Sequence, residues 1–210
     1  MTAVLPARAP LSERGRRTRD RLLLAARSVF EERGFDATRM SDIAQAAGVS
    51  HGTVYTWFAT KEDVLHGTVD SITEVMYDVL RTPESTDPID RIAHANARYL
   101  EVHRETARLM EVVAQAAVND ESFRAVLENL RHAHVDRVAK TIRKLQKDGL
   151  AAQSLDPRIS AAALCAMVEG FARHWLSADG ASDDLDATVL TTLTELWARA
   201  LGLDVHPGGT

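Results

Sequence analysis

Apolar residues recur along this chain at the three-to-four residue interval of helices, and strand-like alternation never runs beyond a few residues. Over 18–32 (TRDRLLLAARSVFEE), Leu22, Ala25, Ala26, Val29 and Phe30 fall at i, i+3, i+4, i+7 and i+8, one face of a helix. Arg33-Gly34 closes it, with Gly34 a candidate C-cap. Ser41 suits the N-cap of a short helix, DIAQAA, which ends at Gly48. Ser50 can cap the next, HGTVYTWF, and Thr60 with Asp63 resembles a capping box at the start of a long helix, about 61–81. RTPESTDP (81–88) reads as a linker. Further helices are expected at 88–104, 106–117, 120–148, 157–177 and 183–201. Asp156-Pro157 supplies a cap and a first helical proline, and Gly149 and Gly180 punctuate the last gaps. The pattern predicts an all-α chain of about nine helices.

Residues 41–58 are the most informative. Two short helices meet across AGVS, and Ile43, Ala44, Ala47, Val54 and Phe58 can share one small core. Gly48 suits the left-handed turn that other residues resist. Ala44 and Ala47 let the helices cross closely. This is helix-turn-helix geometry, in which the second helix enters the DNA major groove by its N-terminus. His51, Thr53 and Thr56 are compact donors and acceptors near that end, and Gly52 leaves room for close backbone approach. Tyr55 can reach a phosphate, Lys61 offers a point charge, and the free N–H groups behind Ser50 add an anion site. Trp57 has two readings, contact with DNA or packing.

Residues 18–65 resemble the DNA-binding domain of the TetR (tetracycline repressor) family. The matching stretches are LLLAARSVFEERGFDAT, IAQAAGVSHGTVYTWF and TKEDVL, in the family's order across nearly the whole segment. The resemblance implies that Thr38 and Arg39 lie near backbone phosphate. It also implies that His51 and Thr53 make base or nearby backbone contacts, that Gly52 is the small residue beside them, that Tyr55 and Lys61 hold phosphates, and that Trp57 sits at a variable contact position; Ser50 and Thr56 complete the candidates on the residue reading alone.

Composition adds one change to this picture. The net charge is −5, which alone argues against a nucleic-acid binder, but residues 1–21 hold six Arg against only Glu13 and Asp20. A basic end on an acidic body suggests an anionic partner at the N-terminus. Arg16 and Arg17 are therefore candidates in a basic arm that follows the DNA backbone or enters the minor groove. The start lacks the apolar core of a secretory signal and no stretch suits a membrane span, so a cytoplasmic protein without a membrane partner is expected. The single cysteine, Cys165, excludes an internal disulfide and reads as a buried small hydrophobe.

The expected division is a DNA-binding head over 1–66 and a ligand-binding and dimerisation body over 67–210. In the body, Leu164, Val168, Phe171 and Trp175 recur at helical spacing, as do Leu193, Leu196 and Trp197. These two stripes can form a two-fold four-helix interface, or they can face the subunit's own core. A homodimer is favoured because two DNA half-sites need a symmetric reader. Effector-cavity candidates are Met76, Tyr77, Leu80, Tyr99, His103, Met110, Val113, Phe123, Leu127 and His134, with ordinary core packing as the alternative for each. No His pair has zinc-ligand spacing, so neither a metal nor a cofactor is expected.

The leading reading is a ligand-responsive transcriptional regulator, a repressor released from a palindromic operator by a small-molecule effector. The alternatives are an activator, or a helical interaction protein whose DNA head no longer binds. No nucleophile elbow or phosphate-binding glycine loop points to an enzyme.

Overall fold

The computed structural model describes residues 12–79, 85, 87–175 and 187–204, the side chains of 74–79 apart. Eight helices and no strand occur among the described residues: α1 (Glu13–Ala37), α2 (Met40–Ala46), α3 (His51–Trp57), α4 (Lys61–Val79), α5 (Pro88–Ala116), α6 (Glu121–Lys147), α7 (Pro157–Trp175) and α8 (Ala187–Leu201). The expected count of nine falls by one because 88–104 and 106–117 are a single helix. Neither Gly nor Pro interrupts that segment. Buried Thr106, where the break was expected, returns its hydroxyl proton to the Val102 carbonyl at 2.8 Å, so the helix runs on.

The chain divides into two compact units, Met1–Val75 with Arg108–Phe123, and Met76–Ala107 with Arg124–Thr210. In the first, α1 begins earlier than its apolar face suggests, because the Ser12 hydroxyl accepts the Gly15 N–H at 3.2 Å. Gly34, at φ +75°, breaks α1 before its last turn. α2 starts one residue ahead of the expected cap. Arg39 is its N-cap, and the Asp42 carboxylate accepts the Arg39 N–H at 2.9 Å. Asp42 also pairs with Arg33 at 3.1 Å, tying α2 to the end of α1. Gly48, at φ +63°, makes the turn into α3, and the Ser50 hydroxyl accepts the Thr53 N–H at 3.2 Å. The capping box at α4 is reciprocal: Thr60 N–H donates to Asp63 and Asp63 N–H donates to Thr60, both at 3.1 Å.

Leu22, Ala26 and Phe30 of α1, Ile43 of α2 and Val54 of α3 are wholly buried together with Val64 and Leu65 of α4. Each such large side chain contributes about 1.5–3 kcal/mol relative to an exposed one. Aromatic rings extend this core. Phe30 stacks on Phe35, Phe35 meets Phe123 edge-on, and His66 lies flat on Phe123 with ring centroids 4.1 Å apart. The second unit packs α5, α6, α7 and α8 around Leu100, Ala139, Ile142, Ala161, Val168, Trp197 and Leu201.

Candidate DNA-binding surface and effector cavity

The buried side of α3 is Val54, and everything else on this seven-residue helix faces at least partly outward. His51, Gly52, Tyr55 and Thr56 are exposed, and Thr53 and Trp57 are half-buried. Tyr55 is 48% exposed despite its size, with His51 edge-on at 5.0 Å between centroids. The Ser50 and Thr53 hydroxyls lie 2.8 Å apart, and Thr56 donates to the Gly52 carbonyl at 3.0 Å. The face is thus a row of short polar groups on a capped helix. A cap of this kind contributes about 1 kcal/mol and fixes the angle at which the helix leaves its turn.

Four candidates sit differently from expectation or carry a further bond. Thr38 is 2% exposed and donates its hydroxyl to the Gly34 carbonyl at 2.7 Å, so it closes the end of α1 and offers nothing to phosphate. The Lys61 ammonium donates to the Phe35 carbonyl at 2.9 Å and lies 4.3 Å from the centroid of the Phe35 ring. It holds the terminal carbonyls of α1, where a cation is favoured. Arg16 and Arg17 are exposed but both bond to Glu13, at 2.8 and 3.1 Å. Arg14, Arg17 and Arg21 follow one another along the same side of α1. Arg39 is exposed at the N-cap of α2.

The second unit holds a partly open cavity of about 90 Å³ between α5, α6, α7 and α8. Of the effector candidates, Tyr99 and His134 line it, their rings stacked at 5.2 Å. His103 is outside the lining, 6.2 Å from Tyr99 between centroids. Met110, Val113 and Phe123 belong to the first unit, where Val113 and Phe123 are wholly buried in its core. Leu127 is half-buried away from the cavity. Leu80 and the side chains of Met76 and Tyr77 lie outside the described residues. The lining residues outside the candidate list come from all four helices: Pro88, Arg91, Ile92, Ala95 and Asn96 on α5, Arg137, Val138, Thr141, Ile142 and Leu145 on α6, Cys165 and Val168 on α7, and Trp197 and Leu201 on α8. The signal was Asn96, a polar residue set within an apolar stripe.

Burial governs the cavity's protonation. It lowers the His134 pKa to about 4, with Arg137 adding in the same direction, and it also lowers His103. It raises the Tyr99 hydroxyl above its usual range and pushes the Cys165 thiol up to about 12, Glu169 adding to both. At neutral pH the ring of His134 is uncharged and Tyr99 keeps its proton. Folding therefore disfavours protonated His134. Stability is full above about pH 6.5 and falls as pH drops toward about 4, by up to about 1.4 kcal/mol per pH unit for this group. Thermal melts across that range should show the decline, and His134→Gln should flatten part of it.

The proposed dimer stripes divide. Leu164, Val168, Leu193 and Trp197 are buried in the chain's own core, the alternative that their spacing left open. Phe171 is half-buried, stacked on Trp175 at 5.4 Å. Trp175 (54%) and Leu196 (48%) are exposed, as is Ile159 (72%) near the start of α7.

A capped helix-turn-helix in the first unit and a lined cavity in the second are the parts that a ligand-responsive DNA-binding regulator needs. Residues 22–68 match the family model of bacterial regulatory proteins of the tetR family, and residues 85–195 match that of the tetracyclin repressor-like C-terminal domain. The chain belongs to the TetR family and is a ligand-responsive, DNA-binding transcriptional regulator. It is 28% identical to the HTH-type transcriptional regulator TtgR of Pseudomonas putida over 177 residues, 78% of this chain and 82% of that one. It is 30% identical to the HTH-type transcriptional activator FasR of Mycolicibacterium smegmatis over 195 residues, 90% of this chain and 84% of that one. A TetR-family regulator from Rhodococcus sp. superposes with a TM-score of 0.69 at 25% identity, covering 88% of this chain and 98% of that one. Members of the family bind DNA operators, respond to small molecules and form dimers. No helix among the described residues is long and apolar enough to cross a membrane.

Proposed function

We propose that the chain acts in the cytoplasm as a homodimeric repressor. It holds a palindromic operator through two copies of α3 and leaves it when a small molecule enters the second unit. The division of labour is a DNA-binding head over 1–66 and a sensing and pairing body over 67–210. The observation that carries this reading is the outward row His51, Gly52, Tyr55 and Thr56 on a helix anchored by Val54 and capped by Ser50. Compact groups at a helix start read base edges, and flanking donors position the backbone. Ligand that favours one arrangement of the body shifts the population away from the operator-fitting spacing. α4, continuous from Lys61 to Val79, is the element able to transmit it.

The test is a fluorescence-anisotropy titration onto the palindromic DNA flanking the coding region, with and without candidate effectors. An operator affinity that no effector changes would sink the sensing step. Within the same assay, Lys61→Met distinguishes two roles. A phosphate contact predicts a salt slope reduced by about one. The bonds to the end of α1 predict a weaker complex with an unchanged slope, and that is the result we expect. Activation is the second reading, favoured by the relative named as an activator. A reporter fused to the operator gives the sign directly. A DNA head that no longer binds is tested by Tyr55→Phe with Lys61→Ala, which should weaken the gel shift.

A further inference from the structure

Two N–H donors on the cavity wall have no acceptor. Asn96 is 3% exposed and its Nδ2 is unpartnered; Trp197 is 8% exposed and its Nε1 is unpartnered. A buried donor without an acceptor costs about 1–3 kcal/mol, so a native cavity that keeps two of them is explained by something that accepts from both. The charged residues of the lining are Arg91 and Arg137, and no carboxylate side chain is among the lining residues. Tyr99 adds a hydroxyl that burial keeps protonated. Glu169 acts electrostatically on Tyr99 and Cys165 from outside the lining. His134, Thr141 and Cys165 add neutral polar groups, and the rest of the wall is hydrocarbon, including Ile92, Val138, Ile142, Val168 and Leu201.

Such a pocket disfavours cations, since an ammonium gives the two N–H groups no acceptor and brings a positive charge beside the Arg91 guanidinium. It also has more to offer than a pure hydrocarbon can use. We infer that the cavity binds a compact apolar carboxylate, its oxygens accepting from Asn96 and Trp197 and its hydrocarbon body lying against the α6 stripe. Arg91 supplies the countercharge, and a carboxylate has lone pairs enough for several donors at once. The inference deepens the sensing role proposed above and rests on it only for its regulatory consequence. About 150 Å³ of dry cavity takes a benzene ring, so at about 90 Å³ this pocket favours the smallest ligands, butyrate ahead of hexanoate and benzoate.

The experiment uses the full chain and three matched pairs: butyrate with butylamine, hexanoate with hexylamine, and benzoate with benzylamine. Binding is read by calorimetry and by the Asn96 amide and Trp197 indole N–H resonances, assigned with Asn96→Leu and Trp197→Phe. At least one carboxylate should bind at least about tenfold tighter than its amine. It should also move both resonances, and Asn96→Leu should lose at least about tenfold of that affinity. Equal or tighter binding of the amines overturns the inference, and so does the absence of any carboxylate binding. Binding that leaves both resonances unmoved overturns it as well. Since Trp197 is core, Asn96→Leu decides should Trp197→Phe fail to fold. A carboxylate that binds as expected but leaves operator affinity unchanged upholds the inference and removes the sensing role. An amine or uncharged compound that occupies the cavity and releases the operator does the reverse.

Discussion

Leu196→Glu is expected to give a monomer whose operator affinity is lower by at least about 100-fold, while the second unit stays folded. Leu196 is half exposed on α8, so an isolated subunit loses little when it becomes polar. Glu is also a good helix former, and the nearby Arg199 is already paired with Glu195 at 3.2 Å. Across a two-fold axis the same substitution buries two carboxylates near one another, a like-charge contact with no compensation. The loss on DNA then follows from linkage. In a dimer the second head binds at the effective concentration set by the first, which multiplies affinity by about 10²–10⁴ without any new contact. Light scattering should report the monomer, anisotropy the lost affinity, and far-ultraviolet dichroism the retained helix content. A dimer of undiminished affinity would show that this face does not mediate pairing. Trp197→Glu is the contrasting control. It is one residue away but buried, so it should unfold the unit instead of splitting the dimer.

That contrast marks where the sequence could be read and where it could not. The head was legible because its determinants are local. Gly48, the Ser50 cap and the Thr60–Asp63 pair each act within a few residues, and all three formed as expected. Thr38 misled for a related reason. Its position in the motif suggests phosphate, but a hydroxyl four residues after Gly34 has a nearer partner in that carbonyl. The body resisted because one apolar stripe serves three purposes. Leu164 and Leu193 face the subunit core, Val168 and Trp197 face both core and cavity, and Leu196 faces outward. Periodicity reports that a side chain is apolar and on a face; the identity of the neighbour comes from helices distant in sequence. Phe123 is the plainest case. Its spacing fits cavity or core equally, and its partners are Phe35 and His66, far earlier in the chain.

Gly52→Leu should separate fold from function by moving them in opposite directions. A Cβ at this position meets nothing within 4 Å, so the head accepts a side chain there without displacing any neighbour. Glycine in a helix costs about 0.5–1 kcal/mol relative to alanine, and leucine is nearly as good a helix former, so thermal stability should rise slightly. The Ser50 cap on Thr53 is untouched. The same open space is what α3 would present to the groove. A leucine projecting from its first turn holds the helix off the base edges and strips contacts from its neighbours His51 and Thr53. Operator affinity should fall about 10–100-fold, with Gly52→Ala intermediate. Because base contacts are lost more than phosphate contacts, discrimination between operator and random DNA should shrink as well. Melting curves and paired titrations on both DNAs measure the two effects on one preparation. A variant that is more stable and binds the operator as tightly as the parent would mean that α3 does not dock by its first turn, and the row from His51 to Thr56 would then need another role.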